Sequence, residues 1–99
     1  MKKTPPELAL LKAIQKHKGL GPYHISLYTA MLSLWQEQQY NTPFRVTRSR
    51  LMATSGIRSP ATYHKCLKEL IGCDYIIYEP SFDKHIASRV TLVMEKAGM

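Results

Sequence analysis

Thr47-Arg48-Ser49-Arg50-Leu51-Met52-Ala53-Thr54-Ser55-Gly56-Ile57-Arg58-Ser59-Pro60-Ala61-Thr62-Tyr63-His64-Lys65-Cys66-Leu67-Lys68-Glu69-Leu70 is the stretch on which the fold turns. Thr47 suits a helix N-cap, because its hydroxyl oxygen accepts an otherwise unpaired amide hydrogen. A short helix from Arg48 to Thr54 follows, with Leu51 and Met52 predicted to point inward. Ser55-Gly56-Ile57-Arg58 reads as a turn, with glycine where the chain needs positive φ. Ser59-Pro60 starts a second helix: serine caps free amides, and proline fits the first turn, where its missing N–H has no partner to lose. That helix is predicted from Pro60 to Ile71, with Tyr63, Cys66 or Leu67, Leu70 and Ile71 facing inward and Gly72 ending it.

Downstream the period changes. Tyr75-Ile76-Ile77-Tyr78 is rich in strand formers, and Val90 and Leu92 alternate within Ser88–Val93. The two segments read as a β-hairpin around a loop of about eight residues. Upstream, 5–18 reads as a helix with a Leu8, Leu11 and Ile14 stripe joined by Leu10, and with Gly19 as a left-handed stop. A second helix, 24–40, carries Ile25, Tyr28, Met31, Leu32 and Trp35 at helical spacing, widened by Leu27 and Leu34. Gln36-Glu37-Gln38-Gln39 is its solvated end, Asn41-Thr42-Pro43 closes it, and Phe44-Arg45-Val46 is a very short strand. The expected fold is mainly α with a small β-hairpin (α+β). The expected divisions are an N-terminal arm and helix over 1–22, a domain over 23–94 and a tail over 95–99.

The 99 residues fit one domain. The net charge is +7, and its distribution matters more than its size. Residues 38–68 hold Arg45, Arg48, Arg50, Arg58, Lys65 and Lys68 and no acid. This is the electrostatic footprint of a polyanion binder. The spacing is too sparse for a polybasic membrane patch, and no apolar run approaches the roughly 20 residues of a membrane span. A cytoplasmic protein is expected, with Cys66 and Cys73 reduced and at least one of them in the core.

Two helices around a glycine turn, a basic capped second helix and an immediate hairpin together resemble the winged helix-turn-helix superfamily. The resemblance covers residues 44–93 and rests on Leu51, Ser55-Gly56-Ile57, Ser59, Thr62-Tyr63, Lys65, Leu67 and Leu70, leading into Tyr75-Ile76. It is most similar to small phage, plasmid and transposon proteins of regulation or replication. It implies a winged helix-turn-helix with an extra N-terminal helix, and sequence-specific double-stranded DNA binding as a transcriptional regulator or a mobile-element replication or excision accessory protein. Asp74 stands where the family often has glycine, and aspartate tolerates the left-handed conformation. Glu79 and Asp83 offset Lys84 and Arg89 in the wing, which argues against strong minor-groove insertion there.

A major groove admits one helix, whose outward side chains reach base edges. Arg58, Thr62 and Lys65, with His64 at the margin, are the expected base-reading residues. Arg45, Arg48, Arg50, Ser59 and Lys68 are expected on phosphates, which position the protein without specifying sequence. Each has a plainer reading: Ser59 as a cap, Lys68 and Glu69 as solvated residues, Arg48 and Arg50 as surface charges, Tyr63 as core.

No Gly-rich phosphate loop, paired carboxylate motif or nucleophile elbow is present in the sequence, so no enzyme is expected. His64 and Cys66 lie two apart on a helix and point about 200° from one another, so no metal site is expected, and no cofactor. One recognition helix covers few base pairs, which favours a homodimer through the N-terminal helix. The rival reading is a winged-helix protein–protein adaptor without specific DNA binding.

Overall fold

The computed structural model describes residues 6–83 and 86–97. The basic arm of Lys2 and Lys3 and the wing's Lys84 lie outside them. Four helices come in order: α1 (Pro6–Lys16), α2 (Pro22–Glu37), α3 (Arg48–Ser55) and α4 (Pro60–Gly72). Strand β1 (Phe44–Val46) lies between α2 and α3, while β2 (Ile76–Glu79) and β3 (Ser88–Leu92) follow α4, and a 3-10 turn closes the chain at Met94–Ala97. The chain is mainly helical α+β, and from α2 onward its topology is winged-helix-like.

α2 is the central element because its apolar residues are not confined to one stripe. Leu27, Tyr28, Ala30, Met31, Leu32, Leu34 and Trp35 are all buried, against α1, α3, α4 and β1. α1 contributes Leu10 and Ile14, both fully buried, one turn apart on one face. The expected Leu8–Leu11–Ile14 stripe is therefore corrected: Leu8 is 42% exposed and Leu11 half-buried. α1 packs on α2 and on the closing 3-10 turn, where Lys96 lies over the Tyr75 ring at 4.8 Å.

The predicted helix ends need correction at two places. Gly19 is not left-handed, since Gly56 is the glycine with positive φ among the described residues. The His17 ring instead accepts the Gly19 amide hydrogen at Nδ1, 3.1 Å away. α2 begins at Pro22 and ends at Glu37, earlier at both ends than 24–40. Gln39 and Tyr40 turn left-handed at φ 55° and 60°, and the Tyr40 amide bonds back to the Trp35 carbonyl at 2.9 Å. Gln38 is no solvated residue. Its side chain donates to the Arg45 carbonyl at 2.8 Å and accepts the Arg45 amide hydrogen at 2.9 Å. β1 is an edge strand, and this carboxamide closes its free edge as a neighbouring peptide would.

The helix pair forms as its residues dictate. Thr47 Oγ1 accepts from the Arg50 amide at 3.1 Å, and Ser59 Oγ from the Thr62 amide at 3.3 Å. Gly56 sits at φ 77° with its amide on the Met52 carbonyl, which frees α4 to leave at an angle. α4 buries Tyr63, Cys66, Leu67 and Leu70. Ile71, expected inward, is 37% exposed, because one residue beyond Leu70 is about 100° further round the helix. Asp74 takes φ 60°, and the Tyr75 amide bonds the Leu70 carbonyl at 3.0 Å.

The sheet is antiparallel in the order β1-β3-β2. Val90 and Leu92 face inward as their alternation predicts, joined by Phe44 and Val46 from β1 and Ile76 from β2. No helix among the described residues is long and apolar enough to cross a membrane.

Candidate nucleic-acid interface

Arg45, Arg48, Arg50, Arg58, Lys65 and Lys68 are all exposed. Only Arg50 has a carboxylate within ion-pair distance among the described residues: its Nη2 lies 2.6 Å from Glu37 Oε2. Both partners are about half exposed, at 54% and 55%, so solvent screening keeps this pair weak. Five cations without an ion-pair partner among the described residues thus come from β1, α3, the turn and α4.

The start of α4 gathers three of the predicted residues. Arg58, Ser59 and Thr62 line a hollow of about 250 Å³ with Gly56 and Tyr23. Ser59 is a cap, as its plainer reading holds, and it remains exposed. Thr62, read as outward, is half-buried in this hollow, while Ala61, Lys65 and Lys68 are exposed. His64 is exposed, its ring edge-on to Tyr63 at 5.3 Å. Burial pushes the Tyr63 phenol up to about 12, with Tyr78 adding to the shift and Arg48 opposing it. Tyr63 is therefore neutral core. Cys66 is buried beside it, and its thiol is raised by burial first and by Glu69 second, against Lys65.

Glu69 does not point freely outward. His24 Nε2 lies 2.7 Å from Glu69 Oε1, and His24 Nδ1 accepts the Gly21 amide hydrogen at 3.0 Å. With Nδ1 accepting, a neutral ring carries its proton on Nε2 and donates it to Glu69. This contact pins the first turn of α2 to α4. It also draws the one acid of α4 toward α2.

A second hollow, about 300 Å³, lies where α3 begins, lined by Glu37, Gln38, Arg45, Thr47, Arg50 and Ala87. It brings Arg45 and Arg50 together, although they belong to different elements. Arg48 is exposed on the first turn of α3.

Two residues have neighbours that sequence reasoning missed. Tyr23, 59% exposed, joins the α4 hollow through a contact between elements that no local pattern encodes. Arg89 lies opposite Arg45 in the sheet, a register invisible until β1 is known to pair with β3. Among the described residues, no group of three or more His, Cys, Asp or Glu side chains is placed to hold a metal ion. Comparison with protein families, curated proteins and solved structures finds no match for this chain.

Proposed function

We propose that this protein binds double-stranded DNA sequence-specifically through a winged helix-turn-helix, in the manner of a transcriptional regulator or a mobile-element replication or excision accessory protein. The observation that carries the reading is the exposed cation set of β1, α3, the turn and α4, five of whose six members have no carboxylate within ion-pair distance among the described residues. α4 serves as the recognition helix, with Lys65, Arg58 and Thr62 toward base edges and His64 beside them. Arg45, Arg48, Lys68 and Ser59 hold phosphates, and Arg50 joins them on leaving Glu37. The mechanism is binding without catalysis, in the cytoplasm, where Cys66 and Cys73 stay free.

A homodimer reads two half-sites, because one helix covers too few base pairs for useful specificity. With Leu10 and Ile14 spent inside the protomer, the α1 surface left for a second copy is Leu8 and the half-buried Leu11. Selection of duplexes from a random-sequence pool tests both points. An enriched inverted repeat is the expected product. A single half-site contradicts the dimer, and a pool that stays random contradicts sequence-specific binding.

One observation favours the adaptor reading. Phe82 in the wing loop is 98% exposed, with Ile86 at 56%, which offers an adaptor two apolar side chains to dock against. Six exposed cations weigh more than two apolar residues, and DNA stays the leading reading.

A further inference from the structure

Burial alternates along each strand, so Arg45, Arg89 and Glu79 all face outward from the sheet. The register sets Arg45 opposite Arg89, and Arg89 opposite Glu79. Directly opposed side chains have Cβ atoms about 4.5–5.5 Å apart, and like charges so placed destabilise a sheet. Glu79, across from Arg89 and in the same hollow, relieves this only in part. Among the described residues neither arginine has a carboxylate within 4.0 Å, and Glu79 does not close on Arg89.

Arg45 is also held on a rigid base. Both of its backbone hydrogen bonds on the open edge go to the Gln38 side chain, so it does not sit on a frayed strand. It borders the hollow that contains Thr47 and Arg50, which makes the pair continuous with the basic start of α3. Two opposed arginines, neither with a carboxylate within 4.0 Å among the described residues, can share one tetrahedral oxyanion, since each planar fork can donate two hydrogen bonds to it.

We propose that Arg45 and Arg89 form a clamp for one backbone phosphate of the bound duplex, carrying the contact surface from the helices onto the outer face of the sheet. This rests on the duplex-binding reading above. The clamp positions the duplex and adds no sequence information.

The test uses Arg45→Gln, Arg89→Gln and the double variant, with Arg48→Ala as reference, in fluorescence anisotropy on a random-sequence duplex across salt concentrations. Glutamine keeps a long stem and removes the charge. Arg89→Gln is expected to weaken binding about tenfold and to flatten the log–log salt slope by about one unit. The double variant should lose little more than either single one, because one phosphate is lost once. Removing the like-charge contact should leave the melting temperature equal or higher, whereas a structural role would lower it. Arg89→Gln that binds like the parent, while Arg48→Ala binds more weakly, overturns the clamp and leaves the duplex reading standing. A parent protein that binds no duplex overturns both. Inorganic phosphate that raises the parent's melting temperature but not the double variant's, with duplex binding unchanged by Arg89→Gln, assigns the pair to a free anion and also overturns the clamp.

Discussion

Leu51→Ala is expected to cost about 3 kcal/mol of stability, within the range of core leucine truncations. Leu51 is the one buried residue of α3 and is fully buried. Around it Arg48, Ser49, Arg50, Ala53 and Thr54 are exposed, and Met52 is half-buried. The helix is too short to be stable alone, so its place rests on this anchor against α2. A domain of this size has only about 5–15 kcal/mol in total. The loss should lower the melting temperature by roughly 10–25 °C, read by circular dichroism. Met52→Ala, at a half-exposed position, should cost clearly less. A Leu51→Ala change within about 0.5 kcal/mol of the parent, the range of ordinary surface substitutions, would contradict the docking of α3 described here.

The second large effect concerns the division of labour on the basic surface. Lys65→Ala should weaken binding to the preferred duplex by about 1–3 kcal/mol and relax discrimination at one position, because Lys65 stands on the exposed face of α4. Arg48→Ala should weaken all sequences alike and flatten the salt slope by about one unit. Both side chains are exposed and neither has an ion-pair partner among the described residues, so folding should be untouched in both variants. Competition titrations with preferred and scrambled duplexes separate the two roles. If Lys65→Ala and Arg48→Ala weaken every sequence equally, the assignment of base reading to Lys65 is wrong.

Local chemistry explains which features were legible beforehand. Thr47, Gly56, Ser59 and Asp74 are punctuation residues, and their roles follow from a hydroxyl acceptor or a tolerance for positive φ. Each is found in its expected role. The wrong helix ends trace to local contacts that residue spacing does not encode. The His17 ring took the amide for which a left-handed Gly19 was expected. Gln38 left the helix pattern to hold Arg45. Ile71 and Leu8 failed because a stripe drawn from spacing is wider than the surface its neighbours cover.

For the interface, exposure of the cations followed from their type, whereas their company did not. The Arg50–Glu37 pair, the His24–Glu69 contact, Tyr23 beside α4 and the Arg45–Arg89 opposition all join residues from different elements. Periodicity carries no information about such contacts until the packing is known.

A duplex-binding surface built on exposed cations stands or falls on fluorescence anisotropy of the protein on a random-sequence labelled duplex at 50 and 200 mM salt. The four arginine and lysine phosphate contacts of one protomer predict a log–log slope of about −3.6 and roughly a hundredfold loss of affinity between the two concentrations. Weak or absent binding at both concentrations would contradict a duplex-binding surface and favour a protein partner.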